Sequence, residues 1–290
     1  MKERSGPIKY TNLLFNVTDE GIAIVTLNHP EKLNALNDLL LESLNNVLDK
    51  INSDDNVRVV LLLGAGKSFS TGFDISPGQK SKEATETQQW EEMNFAAKVV
   101  TRIRDLPQPT LAAVQGYCLG AGHTLAHSCD LIIAGEDAKF GEPEIRHVAP
   151  TPAPILPFVM PMRQAYWLYY TGDTINAKTA LELSMINRVV PTDRREAESL
   201  KVAKLIATVP PFASQMMKKS IQLAYNNMGY SKTLEDHLMI RQIQTLTPDV
   251  TEREMLTEIR ETQGFQAFLD ARDGPFNDDV SSEPPNQEAE

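Results

Sequence analysis

The run Val57-Arg58-Val59-Val60-Leu61-Leu62-Leu63-Gly64 is an almost unbroken apolar stretch closed by a glycine. A strand with one wet face alternates apolar and polar side chains. A run this continuous suits a strand covered on both faces, the setting of a parallel sheet packed between helices. The neighbouring sequence supplies the other layers. Residues 13–17 and 22–27 read as two strands joined by the turn Thr18-Asp19-Glu20-Gly21. Leu40, Leu44, Val47, Leu48 and Ile51 recur at helical intervals over 37–51. A long helix is expected over 83–103, strands over 110–114 and 131–134, and a short helix over 122–128. A further helix over 176–183 precedes an extended piece over 187–190. Strands alternating with helices give an α/β core. Residues 193–272 carry helical periodicity with little β signal.

Two stretches each follow an apolar run and place glycine where a side chain would block an approach to the backbone. They are Lys67-Ser68-Phe69-Ser70-Thr71-Gly72-Phe73-Asp74 and Gly116-Tyr117-Cys118-Leu119-Gly120-Ala121-Gly122-His123. Two such turns can aim two free N–H groups at one oxygen, a device for a carbonyl that gains negative charge during reaction. Taken singly, Gly72, Gly120 and Gly122 read equally well as ordinary tight turns.

Composition narrows the partners. The 290 residues carry a net charge of −11, which argues against nucleic acid, since phosphate binding needs clustered Lys and Arg. An anionic cofactor can still meet one local basic patch. Only Cys118 and Cys129 are present, so no disulfide framework exists and a reducing cytoplasm is expected. No apolar run approaches the roughly 20 residues of a membrane-spanning helix. The first residues lack the apolar centre of a signal peptide, and the last three match no peroxisomal tripeptide. The expected organisation is a flexible leader over 1–9, a core with the active site over 10–192, a helical region over 193–276 and a disordered tail over 277–290.

From residue 13 to residue 276 the order of motifs resembles the crotonase (enoyl-CoA hydratase/isomerase) superfamily. Asn28-His29-Pro30-Glu31-Lys32-Leu33-Asn34-Ala35-Leu36 is similar to its opening signature. The two glycine stretches resemble its oxyanion-hole loops. Cys129-Asp130-Leu131-Ile132-Ile133-Ala134 and Phe140-Gly141-Glu142-Pro143-Glu144-Ile145 follow in the family's order, as do Thr171-Gly172-Asp173 and residues 177–189. The resemblance implies an α/β fold with a ββα spiral core, a C-terminal helical trimerisation region, and a homotrimer or dimer of trimers. It implies a coenzyme A thioester as substrate, with coenzyme A present only as part of that substrate and no metal or permanently bound cofactor. The N–H groups of Phe73 and Ala121 would stabilise the thioester enolate. Coenzyme contacts would fall near Lys32, Leu33, Ala35 and Thr71, with Phe276 reaching a neighbouring subunit's coenzyme. The segment 76–90 would line the acyl entrance.

The acid/base pattern departs from the family's. Family hydratases commonly use two glutamates; this chain has Glu144 at the second position and Thr124 at the first. Addition of water needs one group for the water and one for Cα, whereas moving a proton between two carbons needs one base. Glu144 therefore fits an isomerase at least as well as a hydratase. Its alternative role is capping the turn or pairing with Arg146. His123 and His147 are further catalytic candidates, since histidine serves as a base near neutral pH; each also reads as a packing or surface residue. His123 and His127 stand at i,i+4, but no third ligand makes them a metal site. Two other readings remain: carbon–carbon bond cleavage of a β-keto substrate with histidine assisting, and a non-catalytic acyl-CoA-binding protein. Pro150, Pro152, Pro154 and Pro157 replace the family's glycine-rich segment after Glu144 and stiffen one wall of the expected acyl pocket. Met216, Met217 and Met228 are expected to fill gaps between helices.

Overall fold

The computed structural model describes residues 8–76, 85–248 and 250–276. The expected tail and most of the expected leader lie outside these residues, as do residues 77–84 of the expected acyl entrance. The strands in chain order are β1 (Ile8–Tyr10), β2 (Leu13–Val17), β3 (Ile22–Leu27), β4 (Val59–Gly64) and β5 (Thr110–Val114). They continue with β6 (Tyr117–Leu119), β7 (Leu131–Gly135), β8 (Lys139–Gly141), β9 (Thr174–Asn176) and β10 (Arg188–Val190). The main sheet has the order β1-β2-β3-β4-β5-β7-β10. Its first three strands are antiparallel and the pairings from β3 onward are parallel. β1 begins at Ile8, inside the segment expected to be a loose leader, and pairs with β2.

Every residue of β4 is buried, because helices cover both faces of the sheet. On one face the Asp38–Asn52 helix packs Leu40, Leu44, Val47, Leu48 and Ile51 with Leu13, Phe15, Val25, Val60 and Leu62. Asn37 starts that helix by accepting a hydrogen bond from the Leu40 N–H at 2.9 Å. A cap of this kind is worth about 1 kcal/mol, against about 1.5–3 kcal/mol for each fully buried leucine. Packing therefore holds the helix, and the cap sets where it begins.

On the other face Ala203 and Ala207 of the Arg195–Ala207 helix pack with Ile22, Val59, Leu61, Leu111 and Ile133. This helix is a layer of the core, so the expected boundary at 192–193 cuts through a packed unit. Its buried apolar residues are the alanines Ala203 and Ala207, flanked by partly buried Leu200, Val202 and Ile206, and alanines carry a weak periodic signal. The remaining helices, Pro211–Asn227, Tyr230–Leu246, Thr251–Thr262 and Phe265–Asp273, complete the helical C-terminal region. Met216, Met217 and Met228 are exposed on this chain and fill no gap within it.

The second sheet has the order β6-β8-β9, three residues per strand. The main-chain path from β5 crosses into it through Gly116, held at φ +51. β6 leads into the Ala121–His127 helix and β8 into the turn Pro143–His147. The second sheet thus sets two chain segments side by side where the site forms.

Candidate active site

The opening signature is a scaffold for the first glycine loop. Asn34 is fully buried in the left-handed region at φ +56. Its amide donates to the carbonyls of Ala65 and Ser68, both at 2.8 Å, and its Oδ1 accepts from the His29 N–H at 2.8 Å. Gln115 reinforces the same loop by donating to the Gly64 carbonyl at 2.7 Å. The two glycine loops are then joined by their own main chains: Ser70 N–H donates to the Tyr117 carbonyl and Leu119 N–H to the Ser70 carbonyl, each at 3.0 Å.

This pairing sets Phe73 beside Ala121. A Cβ on Gly72, whose φ is +90, would stand 3.0 Å from the Leu119 oxygen and 3.1 Å from the Ala121 nitrogen. Phe73 bridges Leu36 through its neighbours: Leu36 N–H donates to the Gly72 carbonyl and Asp74 N–H to the Leu36 carbonyl. The Phe73 N–H is turned the other way and donates to no acceptor among the described residues. Ala121 is the first residue of its helix, so its N–H has no acceptor within the helix, and none outside it among the described residues.

Glu144 comes to the same place from the second sheet. The Gly120 N–H donates to the Gly141 carbonyl at 2.9 Å, which fixes the Pro143–His147 turn against the second loop. The Glu144 carboxyl lies on the Cα of Gly120, where a Cβ would meet its Oε1. No donor reaches Glu144 Oε2 among the described residues. Burial lifts this carboxyl well above the ordinary carboxylate range, and the neighbouring Glu142 carboxyl raises it further. Arg146 does not pair with it. The Arg146 guanidinium turns to Asp273 at 3.6 Å, donates to the Thr171 carbonyl at 3.3 Å and lies 4.6 Å from the ring centre of Phe276.

Glu142, absent from the sequence expectations, is the most buried carboxylate of the site at 3% exposure. Its Oε1 lies 2.7 Å from His123 Nδ1 and its Oε2 accepts from the Thr151 hydroxyl at 3.0 Å. Burial pushes it up to about 8, with Thr151 and Glu144 pulling the other way. His123 is therefore turned to Glu142, and burial lowers its imidazole to about 3. His127 stacks edge-on at 4.2 Å from His123, donates its Nδ1–H to the His123 carbonyl at 3.1 Å, and is lowered well below the imidazole range by burial. Thr124 is buried with its hydroxyl unpartnered among the described residues. His147 is half-buried and stands edge-on to Phe268 at 6.3 Å. A weak signal for Glu142 existed in the sequence: a second carboxylate directly before the proline that precedes Glu144.

The proline-rich segment is fastened from the far side. The Thr151 carbonyl accepts from His237 at 2.9 Å and from Arg241 at 3.1 Å, and the Val148 carbonyl from Gln244 at 3.3 Å. Arg241 is buried, and burial lowers it to about 10 while Glu144 acts in the opposite direction.

Of the expected coenzyme residues, Leu33 and Thr71 are joined by a main-chain hydrogen bond at 3.2 Å. Ala35 is buried beside them in sequence, and Lys32 bonds Asp74 at 3.2 Å and the Ser76 hydroxyl at 2.8 Å. Phe276 packs on Arg146 of its own chain. Among the described residues no group of three or more His, Cys, Asp and Glu side chains is arranged to hold a metal ion. No helix among them is long and apolar enough to cross a membrane.

The sequence model of the family described as enoyl-CoA hydratase/isomerase matches residues 17–279. The chain belongs to that family. Within it, the short-chain-enoyl-CoA hydratase of Clostridium acetobutylicum is 35% identical over 205 residues, 69% of this chain and 77% of the relative. The crystal structure of an enoyl-CoA hydratase/isomerase from Xanthobacter autotrophicus Py2 superposes with a TM-score of 0.87 at 32% identity. That match covers 92% of this chain and 99% of the other. An enoyl-CoA hydratase from Bacillus anthracis gives a TM-score of 0.69 at 28% identity, over 87% of this chain and 97% of the other. The crotonase-type α/β architecture expected from the motifs is thus the architecture of this family member.

Proposed function

We propose that this enzyme acts on an enoyl-CoA thioester, moving a proton at Cα with Glu144 while the N–H groups of Phe73 and Ala121 hold the thioester oxygen. The contact between the Glu144 carboxyl and Gly120 carries this reading, because it sets a titratable carboxyl one residue from the unengaged Ala121 N–H. A donor aimed at developing negative charge is worth about 2.7–4 kcal/mol of barrier. The Ala121 N–H also opens a helix, whose end favours an anion. A carboxyl raised by burial accepts a carbon-bound proton better than an exposed one. The names of the relatives supply the substrate class, an enoyl chain carried on coenzyme A.

Double-bond isomerisation is the favoured reaction. Glu144 takes the proton from Cα of a 3-enoyl thioester and returns it two carbons along, with the electron pair held meanwhile as the enolate. Thr124, standing where a hydratase keeps its other carboxylate, supports this choice over hydration. Lys32, Leu33, Ala35 and Thr71 are proposed to line the coenzyme end of the cleft. The exposed apolar side chains Phe212, Met216, Met217, Ile221 and Leu223 support self-association; a homotrimer or dimer of trimers in the cytoplasm is the form we propose.

The test is incubation with a 2-enoyl-CoA and, separately, a 3-enoyl-CoA in oxygen-18 water, followed by mass analysis. A shifted double bond without gain of mass is the expected result. Heavy oxygen on the acyl chain, with coenzyme A still attached, makes the reaction hydration. No change in either thioester overturns the enoyl-CoA reading.

A further inference from the structure

The ladder of the second sheet ends at Gly141, the last residue of β8. Beyond it the chain turns through Pro143–His147 and closes that turn on Val148 at φ +57. A β-branched side chain in the left-handed region is a strained residue, and such strain persists only where the surroundings hold it. Within the turn the Val148 N–H donates to the Ile145 carbonyl at 3.2 Å and the Ala149 N–H to the Glu144 carbonyl at 3.1 Å. Glu142 supplies a hold from inside. Its Oε1 lies 2.7 Å from His123 Nδ1 and its Oε2 accepts from the Thr151 hydroxyl at 3.0 Å. Both oxygens are engaged and the side chain is buried, so Glu142 acts on its neighbours rather than on a substrate.

These two bonds join three parts of the site. His123 lies two residues after Ala121 on one helix, so it moves with the Ala121 N–H. Glu142 lies two residues before Glu144, across Pro143, whose ring fixes φ. Thr151 stands in the proline-rich segment, where its carbonyl accepts from His237 at 2.9 Å and from Arg241 at 3.1 Å. The main-chain bond from the Gly120 N–H to the Gly141 carbonyl holds the approach at one point. One point leaves the turn free to pivot, and the bond between Glu142 and His123 supplies a second. On the outer side the turn is held by Arg146 and Asp273, a partly exposed pair at 3.6 Å. Such a pair contributes little, whereas a hydrogen bond shielded from water is the stronger tie.

We infer that Glu142 is a positioning residue: bonded to His123 and Thr151, it clamps the strained turn of Glu144 against the helix that begins at Ala121, and so sets the distance between the base and the oxyanion donor. The inference rests on the enoyl-CoA reading above only for the reaction that this distance serves. With the clamp in place Glu144 meets the Cα proton of a thioester whose oxygen sits on the Ala121 N–H. Without it the turn relaxes about Val148 and the carboxyl leaves that line, while the helix keeps its own N–H in place. Glu142 therefore acts on the rate of proton transfer and not on binding.

The test compares the intact protein with Glu142→Leu, Glu142→Gln and Thr151→Val. Glu142→Leu removes both bonds and is expected to lower kcat on a short 3-enoyl-CoA about 100-fold with KM unchanged, the effect of a misplacement of about 1 Å. Glu142→Gln keeps an acceptor for Thr151 and a donor for His123, and is expected to recover kcat to within about tenfold of the parent protein. Amide hydrogen exchange is read by mass spectrometry without substrate. In Glu142→Leu it is expected to quicken at Val148 and Ala149 and to stay parental along the Ala121–His127 helix. Thr151→Val removes one bond alone and carries the test, with smaller changes in the same direction, should Glu142→Leu fail to fold. Parental kcat, a rise in KM alone, or exchange that quickens equally in helix and turn overturns the inference. So does a Glu142→Gln protein that loses as much as Glu142→Leu, which assigns the effect to the charge. If the parent protein leaves both the 2-enoyl-CoA and the 3-enoyl-CoA unchanged, the enoyl-CoA reading fails. Exchange at Val148 and Ala149 then decides by itself whether Glu142 holds the turn.

Discussion

A Cβ built on Gly120 would stand 1.9 Å from Oε1 of Glu144, far inside any non-bonded contact. The obstructing atom is the tip of a flexible side chain rather than backbone, so the carboxyl would yield before the fold does. Gly120→Ala is expected to cost about 3 kcal/mol, the upper end for a residue held in a sparsely populated backbone region, since φ +53 with ψ −122 lies outside the left-handed helical region that other residues tolerate. Turnover should fall as well, on the order of 100-fold, since a misplacement of about 1 Å is enough for that. Urea unfolding beside steady-state kinetics separates the two effects.

Glu144→Gln keeps the shape of the side chain and removes its titration. Turnover of a 3-enoyl-CoA should drop by about 10²–10⁴-fold, the range of a general acid–base contribution, with little change in KM. Parent-like turnover would exclude Glu144 as the proton carrier and would favour a role in binding alone.

Stability should pass through a plateau with pH. The buried Glu142 and Glu144 carboxyls titrate above their unfolded values, so the stability they provide is complete below about 4.5 and is lost as pH rises, for Glu142 through about 8. The buried imidazoles of His123 and His127 titrate below their unfolded value, so their contribution is complete above about 6.5 and is lost as pH falls, for His123 through about 3. Two raised carboxyls and two lowered imidazoles oppose each other between about 4.5 and 6.5, giving the plateau. Urea midpoints should decline on either side of it. Glu142→Gln should flatten the alkaline decline and leave the acid one.

Asn34→Ala removes three hydrogen bonds, worth about 1 kcal/mol each, from a residue held at φ +56. A loss of about 3 kcal/mol or more is expected by urea unfolding. Asn34→Gly should recover only the backbone part, about 1–2 kcal/mol. Activity should fall in both, because the loop carrying Phe73 hangs from these bonds.

Local pattern made part of this legible. The apolar run at β4 and the 3–4 spacing along the Asp38–Asn52 helix follow from burial on two faces and on one stripe, and both are written in neighbouring residues. The glycines at 72 and 120 marked the loops because each sits at positive φ against another backbone or side chain. The three-residue strands of the second sheet are too short to show a period of two. The Arg195–Ala207 helix looked detached because alanine gives little contrast, although its alanines are what lets it lie close on the sheet. The bond between His123 and Glu142 joins residues 19 apart across two elements, and no spacing rule connects a helix to a turn through a sheet. Reading Glu144 without Glu142 followed from that.

His237, Arg241 and Gln244 reach carbonyls of the proline-rich segment across 86, 90 and 96 residues of chain. Loop closure over such lengths comes late, after the local contacts that compensate its entropy have formed. A chain emerging from the ribosome can lay down β1 to β7 and the Asp38–Asn52 helix while this wall is still untethered. The sheet and the wall of the site are thus separated in time, and a product ending before residue 237 would have strands to pair but no complete pocket to work in.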